Sequence, residues 1–198
     1  MFSGEHTNQA YTNTKLIAHT DLPYYTQPPP VYAFRCVTNE LQGGESLYVD
    51  SFACAKKFKE ESPDMFSILT STIIPFRNCR EGWNMACRFP IIEFVGGNLY
   101  RVRDSFFVRD NYQLLEELDI EAREEWYEAY SQWRKIIDED PQFKIEFKLE
   151  AGDLVLIDNW RVYHGRNEYA LDGNDGSKRL MELVYIDWNH VQNKLLKE

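Results

Sequence analysis

Residues 143–166 read Phe143-Lys144-Ile145-Glu146-Phe147-Lys148-Leu149-Glu150-Ala151-Gly152-Asp153-Leu154-Val155-Leu156-Ile157-Asp158-Asn159-Trp160-Arg161-Val162-Tyr163-His164-Gly165-Arg166. The first eight residues alternate: Phe143, Ile145, Phe147 and Leu149 share one face, and Lys144, Glu146, Lys148 and Glu150 the other. Successive side chains of a strand point to opposite sides, so this pattern predicts a half-buried antiparallel strand. Gly152-Asp153 predicts a turn and Leu154–Asp158 a further strand, with His164 following it.

Working outward, Arg179–Asp187 predicts the last strand. Towards the N-terminus, residues 11–19 predict a strand ending at His19. The run Pro28-Pro29-Pro30 closes a loop and starts a strand at Val31–Cys36. Gln42–Glu45 is a turn and Leu47–Val49 a strand. Ser51–Glu61 predicts a helix with Phe52, Ala55 and Phe58 on one side, and Pro63–Leu69 a second short one. Two short apolar stretches around Gly96-Gly97 suit a hairpin. The strongest helix runs from Asp119 to Asp138, with Ala122, Trp126, Tyr130, Trp133 and Ile137 at helical spacing and Pro141 beyond its end. Many short strands, few helices and one long helix inserted late predict a mainly β fold with helical insertions, a jelly-roll or cupin-like double sheet.

The 198 residues suffice for one well-packed domain, and neither a linker nor a repeat divides them. Hydrophobic residues at 43% supply enough apolar surface to offset the entropy of ordering, which excludes general disorder. The net charge of −10 argues against a nucleic-acid partner and suits a cationic small molecule. Aromatic residues reach 15%; most are assigned to core packing, with a few available to line a pocket for a quaternary ammonium group. Cys36, Cys54, Cys79 and Cys87 form no CxxC pair, so all four are read as reduced and structural. No apolar run reaches membrane-span length and the start shows no signal-peptide pattern, so a cytoplasmic location is expected, or a mitochondrial one if a targeting segment precedes this sequence.

Four histidines are present: His6, His19, His164 and His190. His19 and Asp21, two positions apart at a strand end, can face one metal ion. His164, following a strand, would add a second nitrogen from the opposite sheet edge. Two imidazoles and one carboxylate on one face of an octahedral Fe(II) leave three positions open for a bidentate 2-oxoacid and dioxygen. A His-x-Asp pair alone arises readily by chance, and a lone histidine is more often a hydrogen-bonded structural residue. Arg179 lies 15 positions after His164 on the next predicted strand, where a guanidinium can hold a carboxylate through two parallel hydrogen bonds. The alternative for Arg179 is an ordinary surface arginine beside Lys178.

Together these residues resemble the gamma-butyrobetaine dioxygenase and trimethyllysine dioxygenase family, in the taurine-dioxygenase-like branch of Fe(II)/2-oxoglutarate oxygenases. The matching runs are Ala10-Tyr11-Thr12, His19-Thr20-Asp21, Gly43-Gly44-Glu45-Ser46, Val49-Asp50, Gly152-Asp153, Asp158–Val162, His164-Gly165-Arg166, Tyr185 and Asp187-Trp188. The resemblance implies a double-stranded β-helix, shortened at its N-terminus and without the family's zinc-binding N-terminal domain. It implies iron on His19, Asp21 and His164, and 2-oxoglutarate as cosubstrate on Arg179 with help from Ser46. It implies a trimethylammonium carboxylate such as gamma-butyrobetaine, as in carnitine biosynthesis, near Tyr11, Tyr185 and Asn8. Trimethyllysine or another amine is the alternative substrate. Charge and hydropathy lead to the expectation of no nucleic-acid or membrane partner, and homodimers, common in the family, are an expected possibility for this chain. One departure stands out: where the family carries paired asparagines, this sequence has Arg103-Asp104-Ser105-Phe106-Phe107, so Asp104 is expected to alter one wall of the substrate pocket. Two other readings remain open: a non-catalytic relative acting as a binding protein, and a jelly-roll sugar-binding module.

Overall fold

The computed structural model describes residues 9–80, 82–170 and 178–195. Its elements are β1 (Leu16–His19), β2 (Val31–Asn39), β3 (Ser46–Asp50), α1 (Ser51–Glu61), α2 (Pro63–Ser71), β4 (Ile74–Arg80), β5 (Trp83–Phe89), β6 (Ile92–Val95), β7 (Asn98–Val102), α3 (Asn111–Glu117), α4 (Ile120–Glu139), β8 (Lys144–Phe147), β9 (Leu154–Asp158), β10 (Val162–Arg166), β11 (Arg179–Ile186) and α5 (Trp188–Leu195). One antiparallel sheet has the order β1-β10-β3-β8 and a second the order β11-β2-β9. This is the double sheet with helical insertions that the strand pattern predicts.

The helices begin and end where local chemistry directs. Asp50 caps α1 by accepting hydrogen bonds from the Phe52 and Ala53 amides, and Pro63 opens α2 where a missing N–H costs nothing. Asp119 caps α4 through the Ala122 amide. The buried stripe of α4 is Trp126, Ala129, Tyr130, Trp133 and Ile137, with Ala122 only partly buried. The stripe packs against α1, with the rings of Phe58 and Trp133 5.9 Å apart, and joins Ala18, Leu47, Val49 and Tyr163 from the four-stranded sheet in one core. Helices thus cover one face of that sheet. From its other face Tyr48 meets Tyr32 and Ile157 of the second sheet in a smaller core. The chain is therefore three layers deep: helices, four strands, three strands. Gly96 and Gly97, at φ 58° and 81°, occupy the two turn positions of the β6–β7 hairpin, a conformation that favours glycine.

Two expectations need correction. The strand expected over residues 11–19 has four residues, because Gln9–Tyr11 forms a 3-10 turn before it. The alternating run 143–150 gives only β8, and its apolar face is not half-buried: Ile145 is 62% exposed, while Leu149 beyond the strand is buried. β8 is an edge strand paired with β3 alone, and the facing sheet ends at β9. The far side of the three-stranded sheet is also open, with Leu154, Leu156 and Val184 exposed among the described residues. All four cysteines are free, and burial pushes the Cys54 thiol up to about 12.

β1 and β10 approach unusually closely at Gly165. A Cβ there would lie 2.7 Å from the Leu16 carbonyl oxygen and 3.2 Å from the Ala18 nitrogen. Backbone atoms cannot move aside as a flexible side chain can. Gly165→Ala should therefore lower the unfolding free energy by about 1–3 kcal/mol in chemical denaturation; unchanged stability would show that the two strands do not pack this tightly.

Candidate metal centre

His164 does not come from the opposite sheet edge: it lies within β10, inside the same sheet, and the β1–β10 pairing sets His19 directly opposite it. Their ring centroids are 4.5 Å apart. Asp21, just past the end of β1, turns its carboxylate between them: Oδ1 lies 3.4 Å from His19 Nε2 and Oδ2 3.5 Å from His164 Nε2. One donor atom from each of the three residues falls within 4.8 Å of the others. Metal–ligand bonds of about 2.1 Å at right angles place neighbouring donors about 3 Å apart, so the set needs little adjustment to hold one ion.

The protonation chemistry agrees with a metal site. His19 Nδ1 sits 2.8 Å from the Ile17 carbonyl oxygen, which favours the tautomer with a lone pair on Nε2. Burial pulls the His164 pKa down against the opposing pull of Asp21, which favours the neutral imidazole that a metal requires. Burial would raise the Asp21 pKa, but the two histidines outweigh it and hold the carboxyl well below its usual range. Among the described residues His164 Nδ1 is buried without a hydrogen-bond partner.

The segment that carries these ligands is held almost residue by residue. Thr20 donates its amide to the Asp104 carbonyl at 2.7 Å. The Asn159 side chain accepts from the Asp21 amide at 2.8 Å and donates to the Asp21 and Pro29 carbonyls, both at 3.0 Å. Arg103 reaches the Pro23, Tyr25 and Thr26 carbonyls, and Trp160 Nε1 the Pro28 carbonyl. Leu22, at φ 53°, is the one described non-glycine residue in the left-handed region, directly after Asp21. This backbone is over-determined by its surroundings, the condition under which such a conformation persists.

Next to the metal residues the two sheets face each other. Tyr32 of β2 stacks on His164 at 4.7 Å. Beyond it lie Tyr48 and the buried Ser46 of β3, joined by a side-chain hydrogen bond. Arg179, the first residue of β11, stands over the Tyr169 ring at 5.5 Å, and its charge acts on Tyr32 and Tyr48. Its Nε is buried without a partner among the described residues. Gly44, at φ 75°, passes beside it, where a Cβ would lie 3.5 Å from that nitrogen. A part-buried guanidinium with an uncommitted Nε is suited to a carboxylate.

The structure therefore brings His19, Asp21 and His164 together, with Tyr32 stacked on His164 and packed against Tyr48 next to them. Tyr185 also joins them: its hydroxyl donates to Asp21 Oδ2 at 2.8 Å, and burial together with that carboxylate pushes the phenol pKa up. Tyr11 stands in the 3-10 turn, 81% exposed. Asn8 lies outside the described residues. Asp104 is a correction. It is fully buried and forms no pocket wall; its carboxylate accepts from Tyr130, Tyr163 and Arg134. The exposed residues of that stretch are Phe106 and Phe107, and the Phe107 ring meets His19 edge-on at 6.1 Å. Sequence reasoning misses the supporting roles of Asn159, Arg103, Arg134 and Arg166. Arg101 and Arg103, two apart in or just past a strand, did carry a signal for paired buried charge; they share Glu93.

Residues 3–185 match the family described as "Taurine catabolism dioxygenase TauD, TfdA family". The chain belongs to this family. It is 32% identical over 192 residues to gamma-butyrobetaine dioxygenase of Homo sapiens, covering 95% of this chain and 48% of that protein. It is 31% identical to the trimethyllysine dioxygenase of Meyerozyma guilliermondii, over 94% of this chain and 45% of that protein. The chain thus spans about half the length of these relatives. Among solved structures, asparagine oxygenase in complex with Fe(II), 3-hydroxyasparagine and succinate superposes with a TM-score of 0.65 at 16% identity, over 91% of this chain and 53% of that one. That likeness shows that the double sheet is the fold of the iron oxygenases.

The His164-Gly165-Arg166 run now has a separate reason for each residue. His164 faces the metal position, Gly165 admits β1, and Arg166 donates to the Ala10, Thr12 and Thr14 carbonyls. Arg166→Ala should speed amide hydrogen exchange across residues 10–15 by about tenfold or more, with β3 and β10 unaffected. Unchanged exchange would mean that Arg166 does not anchor this segment.

Proposed function

We propose that this chain is an Fe(II)- and 2-oxoglutarate-dependent dioxygenase that hydroxylates a small cationic substrate. The observation that carries this reading is the meeting of His19, Asp21 and His164, and the buried, unpartnered Nε of Arg179 supports it. His19, Asp21 and His164 hold the iron, and Arg179 with Ser46 holds the far carboxylate of 2-oxoglutarate. Iron with 2-oxoglutarate and dioxygen supplies the oxidising power: substrate C–H, dioxygen and 2-oxoglutarate give substrate C–OH, succinate and carbon dioxide.

The protein supplies orientation, charge and exclusion of water. Tyr32, stacked on His164 and packed against Tyr48, holds that ligand's ring in place. Tyr185 fixes the Asp21 carboxylate through a hydrogen bond, which keeps one carboxylate oxygen directed at the metal position. Phe107 beside His19 and Tyr185 beside Asp21 flank the metal with aromatic surface. A trimethylammonium group against such rings gains about 0.5–2 kcal/mol per ring, depending on desolvation. The net charge of −10 adds a favourable long-range field for a cation. A trimethylammonium carboxylate such as gamma-butyrobetaine is the first substrate to test, and trimethyllysine the second. Tyr11 and Asn8 are further candidate contacts to that substrate.

Two measurements test this. Purified protein with Fe(II), ascorbate and 2-oxoglutarate should form succinate, and hydroxylated product should accompany it when gamma-butyrobetaine or trimethyllysine is added. His164→Ala should remove both. Arg179→Ala should raise the KM for 2-oxoglutarate by about tenfold or more, the loss of one charge-assisted pair. Absence of 2-oxoglutarate turnover with every amine tried would overturn the enzymatic reading and leave a non-catalytic member of the family.

A further inference from the structure

The Asp104 carboxylate has no solvent exposure and three partners. It accepts from the Tyr163 hydroxyl at 3.0 Å, from the Tyr130 hydroxyl at 3.0 Å and from Arg134 at 3.1 Å. Two of these partners lead back to a neighbour of a metal ligand. Tyr163 immediately precedes His164. Arg134 also donates to the carbonyl of Ala18, which precedes His19, at 2.8 Å. The backbone of Asp104 itself takes the amide of Thr20, between His19 and Asp21, and donates its own amide to the Thr20 hydroxyl at 3.0 Å. One buried residue is thus tied to the residue next to every proposed ligand.

We propose that Asp104, with Tyr163 and Arg134, is a positioning centre for the metal site, by which helix α4 sets the spacing of His19, Asp21 and His164. This rests on the reading of those three residues as metal ligands. The physical argument is stiffness. Strand pairing alone leaves the chain after β1 free to swing Asp21 away from the histidines. A buried ion pair with two additional hydroxyl donors gives Ala18, Thr20 and Tyr163 one common reference. Partners one step removed from the ligands commonly change metal affinity by about 10–100-fold. Such a hub also costs desolvation, so burial of Asp104 is not explained as a simple source of stability.

The test is anaerobic titration of the chain with Co(II), a spectroscopic substitute for Fe(II), alongside thermal unfolding of the metal-free protein. Asp104→Asn, Tyr163→Phe and Tyr130→Phe are compared with Ile137→Val, a core change on α4 outside the hub. Tyr163→Phe is expected to weaken Co(II) binding by about tenfold and to shift the visible ligand-field bands. Ile137→Val is expected to lower Tm while leaving affinity and spectrum unchanged. Should Asp104→Asn fail to fold, the two tyrosine variants still decide, since each removes only a single hydroxyl. Hub variants that fold and retain the wild-type Co(II) affinity and spectrum would overturn the proposal, leaving a purely structural hub. A wild-type chain that binds no Co(II) or Fe(II) would instead overturn the metal reading itself.

Discussion

The contact of β1 with β10 across Gly165 governs the geometry of this molecule. That pairing brings His19 opposite His164, and it requires a residue without a side chain at the crossing. Every other feature of the site is arranged around it. β10 lies in the interior of its sheet, between β1 and β3, so its register is fixed from both sides. Among the described residues β1 pairs with β10 alone, and it is four residues long. The chain after it would be loose without the side chains of Arg103, Arg134, Asn159 and Trp160, which grip residues 18–29. The site is thus built from one rigid strand and one braced strand end.

Much of this was legible in the sequence. The strand Leu154–Asp158 is legible and is observed as β9, but His164, read as following that strand, sits in the middle of β10, a second strand that the sequence pattern did not mark. The α4 stripe is legible because Trp126, Tyr130, Trp133 and Ile137 recur at the spacing of a single helix face, and all four are buried. The His-x-Asp spacing is legible because residues two apart at a strand end share a side. Sequence reading fails where a residue's partner is distant along the chain. Asp104 lies in the stretch 103–107 expected to form a wall of the substrate pocket, yet Arg134 and Tyr163, 30 and 59 positions away, turn its charge inward. Burial of Ile145 is expected from alternation alone, but alternation shows which residues share a face and is silent on whether a second sheet covers them. No local pattern marks Asn159 as the partner of Asp21; that follows only from the way the β9–β10 turn meets the end of β1.

The open faces are a physical feature in their own right. Leu154, Leu156 and Val184 on the second sheet, and Ile145 at the edge of the first, present apolar surface of a kind that folded proteins usually cover. The relatives are about twice as long as this chain. The strand pair that carries the metal residues, by contrast, is backed by helices and tightly packed: Trp126, Trp133 and Ile137 are fully buried. The His19–Asp21–His164 cluster is thus apart from the open outer face of the second sheet, whereas Ile145 is in register with Tyr48 and His164 on one sheet face.

If His19, Asp21, His164 and Arg179 work together, a single metal ion and 2-oxoglutarate must share the cleft between His164 and Arg179. Anaerobic calorimetry of the wild-type chain, titrating 2-oxoglutarate before and after one equivalent of Fe(II), decides this. The expected outcome is one metal per chain, and 2-oxoglutarate binding that is strong only once the metal is in place. Equal 2-oxoglutarate binding with and without Fe(II), or no heat from either ligand, would be incompatible with a shared cleft.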